Sequence, residues 1–371
     1  MENKPIYVLH VFGYFDRGGA ETMVMNLFRS IDQSEIKFGF VVHGDKIGAF
    51  EEEVKNMGAD IFRVPTYKGS NHFEYIRAWK DIFNNHPEYS IIHGHVRSTA
   101  SIYLKIAKKY GLITIAHSHS TSSGSGVIGK VKDMFQHNIR YHTDEFLACS
   151  IKAGEWLFGD EVVKQDNFNV LNNAIDSADF KFNKEIREQK RKEIGIENTL
   201  VVGHIGRFTE PKNHLYLIDI FSEILKLNSN AVLLLAGEGE LKTNIQNKVK
   251  ELSIEDNVLF LGLRADINDL LQAMDIFLFP SLFEGLPVTL VETQAAGLPS
   301  VVSDVITQEI KITNLVNFFS LEKAPREWAE FVLNTANNYE RKDTSEFIKA
   351  AEYDITVTSK WYSNFIKELA G

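Results

Sequence analysis

The chain of 371 residues contains a single cysteine, Cys149. It also has no apolar run as long as the roughly 18 residues that a membrane-spanning helix needs. One thiol excludes an intrachain disulfide framework and a zinc site built from several thiolates. Cys149 ends the apolar run EFLACS, which indicates a buried structural thiol rather than a nucleophile. These absences predict a soluble protein of the reducing cytoplasm.

Basic residues are also in deficit, because 40 Lys and Arg face 50 Asp and Glu and leave a formal net charge of −10. Nucleic acid is therefore excluded as the main partner, since its phosphates require a basic surface. The fingerprint G-x-G-x-x-G is missing after the first strand-like run, which argues against a nicotinamide-dependent enzyme.

Short β-rich runs alternate with segments of helical periodicity along the chain, which is typical of βαβ units and helix-covered parallel sheets. The length exceeds what one core usually supports, so we expect an α/β protein of two doubly wound, Rossmann-like domains with a cleft between them. A charge-rich stretch with few large apolar residues predicts the segment that connects the two domains. The expected parts are an N-terminal domain 1–175, a connecting segment 176–198, a C-terminal domain 199–353 and a terminal helix 354–371 that packs back onto the first domain.

Residues that follow the strand-like runs are the candidates for a site, because doubly wound sheets bind ligands beyond the carboxyl ends of their strands. Gly18 and Gly19 follow the first run and precede a helix whose amides could meet a ligand, although such a pair is also typical of a plain turn. Arg207 and Lys212 follow the first run of the second half and together suit a diphosphate. The alternative is that both cations are solvated surface residues.

The runs IIHGH and IAHSH each place two histidines on one face at a strand end. Four such imidazoles could bind zinc, but no carboxylate or thiol lies at ligand spacing beside them. We therefore favour a hydrogen-bonding role for one histidine toward a sugar or a carbonyl. A purely structural role for His93 and His95 is the alternative.

Glu284 and Glu292 are separated by seven residues around a helix start that glycine and proline punctuate. Carboxylates accept hydrogen bonds from vicinal hydroxyls, so two of them at different depths could hold a sugar ring and a ribose. A capping glutamate and a solvated one are the alternative. Backbone around Leu263 and Arg264 could meet a flat base, and Gly237 marks another tight turn after a strand.

Several motifs together identify a resemblance. The following motifs occur in this order along the chain: RGGAE, HSH, GRFTEPKNH, AGEGEL, LGLRADI, LFEGLPVTLVE and AAGLPSVVSD. The chain resembles, over nearly its whole length, the retaining glycosyltransferases of family four, in which the motifs follow the same order. It is most similar to members that build capsular or exopolysaccharide repeat units. The resemblance implies the GT-B fold of two facing Rossmann-like domains and the transfer of a hexosyl unit from a nucleotide-diphosphate sugar, with uridine as the base.

The resemblance also implies roles for individual residues. Arg207 and Lys212 would bind the donor diphosphate, Glu292 the ribose and Glu284 the hydroxyls of the donor sugar. The predicted catalytic residues are His119, Arg207, Lys212 and Glu284. The predicted donor-binding residues are Gly18, Gly19, His117, Gly206, Arg207, Lys212, Gly237, Leu263, Arg264, Glu284, Gly285, Leu286, Pro287, Val288 and Glu292. Among these, the amides near the sugar and phosphate would come from Leu286, Pro287 and Val288.

The sequence has no Asp-x-Asp pair to hold a divalent ion on the departing diphosphate. We therefore expect no metal and no cofactor, with the nucleotide sugar as a co-substrate. Arg207, Lys212 and helix amides would absorb the charge that develops on the leaving group. No nucleophile for a covalent intermediate is evident, so retention of configuration suggests front-face attack. The resemblance implies that His119, rather than His117, lies beside the anomeric centre.

The acceptor is expected at the N-terminal domain, as a saccharide or a lipid-linked saccharide. The basic amphipathic stretch GVIGKVKDMFQHNIRYH, with Lys130 and Lys132, predicts peripheral contact with the anionic inner face of the cell membrane, and a packed core helix is the alternative. Two other functions stay open: a sugar-nucleotide 2-epimerase of the same fold, and a non-catalytic protein that binds sugar nucleotides. Neither would form a glycosylated product.

Overall fold

A computed structural model describes residues 4–16, 18–120, 136, 138–337 and 339–371. The chain forms two compact units, Met1–Ala174 together with Ile355–Gly371, and Ile175–Asp354. Each unit is a parallel sheet whose two faces are buried in separate apolar cores. The predicted α/β class with two doubly wound units is therefore confirmed.

Strands and helices are numbered in chain order across both units. The strands of the first unit are β1 (Ile6–Phe12), β2 (Ile36–His43), β3 (Ile61–Val64), β4 (Tyr89–Gly94), β5 (Ile113–Ser118), β6 (Glu145–Ala148) and β7 (Phe168–Val170). Its helices are α1 (Gly19–Ser30), α2 (Glu51–Asn56), α3 (His72–Asn85), α4 (Ala100–Lys109), α5 (Ile151–Phe158) and, from the end of the chain, α14 (Ile355–Ala370).

In the described part of the first unit, the strands lie in the order β3-β2-β1-β4-β5-β6-β7, and all pairs are parallel. Alternate residues of β1 enter different cores. Val8 and Phe12 pack in the core that contains α1 and α14, whereas Leu9 and Val11 pack in the core that contains α3 and α4. Burial of both faces explains why this strand is a nearly continuous apolar run.

The second unit repeats this arrangement. Its strands are β8 (Leu200–Ile205), β9 (Ala231–Ala236), β10 (Val258–Gly262), β11 (Ile276–Phe279), β12 (Ser300–Ser303) and β13 (Val316–Phe319). Its helices are α6 (Ser177–Phe180), α7 (Lys184–Ile194), α8 (His214–Leu227), α9 (Lys242–Glu251), α10 (Ile267–Ala273), α11 (Val288–Ala295), α12 (Pro325–Asn337) and α13 (Ser345–Ala350).

The second sheet has the order β10-β9-β8-β11-β12-β13, again with parallel pairs throughout its described strands. Strand order reverses between β8 and β11 here, and between β1 and β4 in the first sheet. Such a reversal opens a crevice at the carboxyl ends of the two strands, where doubly wound folds bind their ligands. The loops that follow these four strands are therefore the places to look for a site.

Residues 176–198, expected to connect the two domains, are instead part of the second unit. They form α6 and α7, and the charges that suggested an exposed connection are used inside the unit. The guanidinium of Arg191 lies 3.2 Å from the carboxylate of Asp275. Ile196 is buried in the core of the same unit. Ion pairs to other residues of the second unit thus help to hold this segment, which has few large apolar residues.

The terminal helix α14 belongs to the first unit. Its apolar residues recur every three or four positions and form one packed face. Tyr362 is fully buried in the core beside Ile366. The hydroxyl of Tyr362 lies 2.9 Å from Nδ1 of His93, so the end of the chain also bonds to the centre of the first sheet.

Among the helices that the structure describes, none combines the length and the apolar character needed to cross a membrane. The amphipathic stretch suggested as a membrane contact, including Lys130 and Lys132, lies outside the described residues up to residue 135.

Replacing Tyr362 with Ala should destabilise the first unit by about 3–5 kcal/mol, because truncating a fully buried aromatic side chain leaves a cavity. Thermal unfolding followed by circular dichroism measures the loss. Lys360→Ala changes an exposed residue of the same helix and should leave the unfolding temperature unchanged. Equal unfolding temperatures for Tyr362→Ala and the wild type would contradict the packing of α14.

Candidate active site

The loops after β8 and β11 lie against each other at the reversal point of the second sheet. The first contains the 3-10 helix Glu210–Lys212, and the second runs from Pro280 to the start of α11. The Leu282 N–H donates to the carbonyl of Pro211 at 2.8 Å. The side-chain amide of Asn213 donates to the carbonyl of Pro280 at 3.0 Å. These bonds fix the two loops relative to each other.

An ion pair joins the two loops. Lys212 Nζ lies 2.7 Å from Glu284 Oε1, and the two side chains are only 18% and 13% exposed. The same ammonium lies 4.6 Å from the centre of the Phe279 ring, within the range of a cation–π contact. Water screens such a partly buried pair less than it screens a surface pair. A cation and an anion therefore lie together at the carboxyl-end edge of the second sheet in the ligand-free protein.

Arg207 follows β8 directly and belongs to the same loop as Lys212. Its side chain is exposed, and among the described residues no hydrogen bond or ion pair engages the guanidinium. A guanidinium is a planar fork of donors that suits phosphate oxygens. The loop thus carries one cation with a partner and one without.

Glu292 lies in the second turn of α11, directly after the loop that carries Glu284. The side chain is half-buried, and its carboxylate has no hydrogen-bond or ion-pair partner within the described part of the chain. Burial raises the pKa of this carboxyl to about 7. An unpartnered carboxylate at this place is an acceptor that a bound hydroxyl could satisfy.

Gly237 brings three strand ends close together. Its φ is +150°, and a Cβ at this position would lie only 2.0 Å from the carbonyl oxygen of Gly206. Its N–H donates to the carbonyl of Gly262 at 2.9 Å. No side chain fits here, so the backbone after β8, β9 and β10 forms a tight surface.

One predicted donor contact needs correction, whereas the contact expected from the backbone around Leu263 and Arg264 stays a prediction. The guanidinium of Arg264 binds both oxygens of Asp266, at 2.7 and 2.6 Å, so this side chain is already engaged within its own loop. Leu263 is 79% exposed and remains available beside it. Pro287 has no N–H, so only Leu286 and Val288 of the predicted trio can donate an amide.

In the first unit, the predicted histidines form bonded pairs at the ends of β4 and β5. His95 Nδ1 lies 2.8 Å from His119 Nε2, and His93 Nε2 lies 3.2 Å from His117 Nδ1. Burial lowers the pKa of His119 to about 3 and the pKa of the other three well below 6.5. All four rings are therefore neutral at physiological pH.

Gly18 is the N-cap of α1 and Gly19 is its first residue, so the helix expected after the glycine pair already includes the second glycine. The N–H of Gly18 donates to the carbonyl of Asp16 at 2.9 Å and closes the turn before the helix. A Cβ built on Gly19 would meet no atom within 4 Å. The space in front of this backbone is open to a ligand.

Two cavities differ in how they relate to these residues. One of about 280 Å³ in the first unit is lined by His95, His117 and His119. A larger one of about 840 Å³ in the second unit lies within residues 185–199 and beside Asp275, and contains none of the predicted site residues. The volume of a cavity alone therefore does not identify the candidate active site.

The chain matches two family models, Glycosyltransferase Family 4 over residues 17–179 and Glycosyl transferases group 1 over residues 186–352. EpsF of Bacillus subtilis (strain 168) is named provisionally as a glycosyltransferase. The alignment with EpsF is 355 positions long and 34% identical, and it covers 94% of this chain and 92% of EpsF. The chain belongs to the family-four glycosyltransferases.

A second relative of this glycosyltransferase is the capsular polysaccharide biosynthesis glycosyltransferase CapH of Staphylococcus aureus. The alignment with CapH is 371 positions long and 24% identical, and it covers 96% of this chain and 97% of CapH. Among solved structures, Anabaena Alr3699/HepE in complex with UDP matches with a TM-score of 0.78 and 16% identity, over 98% of this chain and 100% of HepE. This likeness shows that the glycosyltransferase has the GT-B fold.

Within the second unit of this glycosyltransferase, the structure brings Lys212 and Glu284 into contact and places Arg207 on the same loop. Sequence reasoning missed two partners of the histidine pairs in the first unit, His10 and Tyr362. His10 lies two residues before the end of the first strand, and that position was an available signal. No sequence pattern indicated that Tyr362, almost 270 residues later, bonds to His93.

Glu292→Gln should change how the stability of this glycosyltransferase depends on pH. The carboxyl has its pKa raised from 4.5 to about 7 by burial, so its contribution to stability falls as pH rises through this window. The variant lacks the titration. We expect it to exceed the wild type in free energy of unfolding by about 1–3 kcal/mol at pH 8 and to come close to it at pH 5.

Urea denaturation of both proteins at the two pH values measures this difference. Glu251→Gln, an exposed change at the end of α9, is the matched control and should follow the wild type at both pH values. A parallel pH dependence of Glu292→Gln and the wild type would contradict the raised pKa.

Proposed function

We propose that this glycosyltransferase moves a hexosyl unit from a UDP-sugar to a saccharide or lipid-linked saccharide during capsule or exopolysaccharide synthesis, with retention of configuration and without a metal ion. The observation that carries the proposal is the ion pair of Lys212 and Glu284, 2.7 Å apart, on loops after neighbouring strands. The loop of Lys212 also carries Arg207, whose guanidinium has no partner among the described residues. Cations for a diphosphate and a carboxylate for sugar hydroxyls thus share one edge of one sheet.

In this proposal the donor replaces contacts that the ligand-free loops make with each other. The diphosphate draws the ammonium of Lys212 and the fork of Arg207 to its oxygens, where charge-assisted bonds are strong. Glu284 then accepts hydrogen bonds from hydroxyls of the donor sugar. Glu292, whose carboxylate has no partner in the described structure, accepts hydrogen bonds from the ribose hydroxyls.

The transfer step breaks the bond between the anomeric carbon and the β-phosphate oxygen, and it forms a bond from that carbon to the acceptor oxygen on the same face. The acceptor proton passes to the departing phosphate oxygen. Negative charge grows on the diphosphate, where Arg207 and Lys212 stabilise it. The low pKa of His119 means that a neutral ring orients the reacting sugar through a hydrogen bond and carries no positive charge.

Two relatives support the proposed substrates. HepE, which shares the fold, was solved with UDP, and this favours a uridine donor. CapH is named for capsular polysaccharide biosynthesis, which favours a saccharide acceptor. The order of motifs by which the sequence resembles the retaining glycosyltransferases of family four supports retention of configuration.

Arg207→Ala and Lys212→Ala should each lower turnover by about 10²–10³-fold, because each removes a group that stabilises the leaving diphosphate. Lys250→Ala removes an exposed cation from α9 of the same unit and should leave turnover unchanged. The assay follows UDP release and glycosylated product from labelled UDP-sugars with a membrane extract as acceptor. NMR of the product should show the anomeric configuration of the donor.

Near-normal turnover of Arg207→Ala would reject the assigned role of this arginine. A product of inverted configuration would reject retention. An epimerised sugar nucleotide without glycosylated product would replace the proposed reaction with that of a 2-epimerase.

Treatment with EDTA followed by gel filtration should leave transfer at its full rate, because side chains in place of a metal ion neutralise the diphosphate. Initial rates before and after treatment measure this. Loss of activity that Mg²⁺ or Mn²⁺ restores would contradict metal-independent transfer.

A further inference from the structure

Five histidines, hereafter the histidine cluster, lie at the carboxyl ends of the three central strands of the first sheet. They are His10 on β1, His93 and His95 at the end of β4, and His117 and His119 at the end of β5. The rings of His117 and His119 stack with centres 3.9 Å apart. One nitrogen from each of His95, His117 and His119 lies within 4.8 Å of the corresponding nitrogens of the other two.

His95, His117 and His119 form a triad within this cluster. Two rings of the triad each contact one of the other two histidines of the cluster through one nitrogen. His95 Nε2 lies 3.1 Å from His10 Nδ1, and His117 Nδ1 lies 3.2 Å from His93 Nε2. Each contact occupies one ring nitrogen, and the other nitrogen is left for the triad. Histidines that bind metals usually bond through their second nitrogen in this way, which fixes the tautomer and the ring orientation.

The triad also contains buried nitrogens that the protein does not satisfy. Nε2 of His117 and Nδ1 of His119 are buried without a hydrogen-bond partner among the described residues. A buried polar atom without a partner has lost its hydrogen bonds to water and gained none in return, so native structures rarely retain one without a reason. A cavity of about 280 Å³ adjoins these atoms and has room for a ligand.

We propose that His95, His117 and His119 bind one divalent transition-metal ion, for which Zn²⁺ is the representative. Zinc–nitrogen bonds of about 2.1 Å place tetrahedral ligand atoms about 3.4 Å apart, so the rings need to move by only about 1 Å. Three neutral imidazoles suit Zn²⁺, Ni²⁺ or Cu²⁺, whereas Mg²⁺ and Ca²⁺ prefer oxygen ligands. This site uses only side chains of the first unit and is distinct from the cations proposed for the diphosphate.

Three protein nitrogens leave a coordination position for water or another small ligand, as in zinc sites that are not purely structural. The bond between His95 Nδ1 and His119 Nε2 rearranges when the ion binds, because both nitrogens cannot keep a shared proton and also donate lone pairs. The ion then takes the lone pairs of His95 Nδ1, His117 Nε2 and His119 Nε2, and the shared proton moves to Nδ1 of His119. Of the two unpaired nitrogens, it is therefore His117 Nε2 that the ion satisfies. Binding therefore requires no net loss of protons from the three rings.

Isothermal titration calorimetry of the chelator-stripped, full-length protein with Zn²⁺ tests the site. We expect one ion per chain. His117→Ala and His119→Ala should each weaken binding by at least about 100-fold, and His93→Gln, which removes the support behind His117, by about 10–100-fold. His214→Ala, which removes a buried histidine from the second unit, is the matched control and should bind Zn²⁺ as the wild type does.

Titration with Co²⁺ gives a second measurement that needs no variant. Tetrahedral nitrogen coordination should produce strong visible absorption in the wild type, and excess Zn²⁺ should abolish it. Absence of these bands, or Zn²⁺ binding that His117→Ala and His119→Ala leave unchanged, would overturn the proposed site and favour a cluster that is only hydrogen-bonded. Circular dichroism of each variant verifies that it is folded.

Zinc should also inhibit transfer, because the ion takes the lone pair of His119. This consequence rests on the proposed function, and the two tests separate the possibilities. Stoichiometric zinc binding without inhibition would overturn the role of His119 in transfer and support the metal site. Absence of zinc binding in an active enzyme would overturn the site and leave the proposed function intact.

Discussion

Parallel pairing forces all strands of a sheet to end at the same edge, and both candidate regions of this protein depend on that constraint. In the second unit it brings Lys212 and Glu284, which are 72 positions apart in the sequence, to a distance of 2.7 Å. In the first unit it gathers histidines from three strands. Residues with little local structure of their own acquire fixed positions because the strands before them are buried on both faces.

The charges at the edge of the second sheet are incompletely balanced without a ligand. Glu284 has a cation beside it, whereas Glu292 has none among the described residues, and burial raises the pKa of its carboxyl to about 7. Arg207 is the converse, a cation in water without an anion in the described structure. A nucleotide diphosphate with its sugar would supply both missing partners at once. The donor would then form its contacts with groups whose lack of partners lowers the stability of the ligand-free protein.

The sequence was sufficient to predict the fold, because alternating apolar runs and helical periods reflect a parallel sheet directly. It was also sufficient to place Arg207, Lys212, Glu284 and Glu292 after strands or at a helix start. It could not predict which of these residues pair. Strand order, which decides that β8 and β11 are neighbours, is set by packing across the whole unit and not by any local pattern.

The failures of sequence reasoning have similar causes. Sequence reasoning did not predict that the guanidinium of Arg264 binds Asp266 two residues away, because this contact depends on the local course of the loop. The segment 176–198 was taken for a connection because it is rich in charge, but long-range partners such as Asp275 make those charges part of a folded unit. His10 was overlooked because one histidine in an apolar strand is usually a core residue.

The first unit is assembled from two segments that flank the second unit in the sequence, since α14 closes the core that β1 begins. A ribosome makes β1 before the second unit and α14 after it, so nascent residues of the first unit must wait without Tyr362 and its neighbours until the second unit has been made. The second unit is continuous from Ile175 to Asp354 and meets no such delay. During translation, the unit that begins to emerge first is therefore the one whose core closes later.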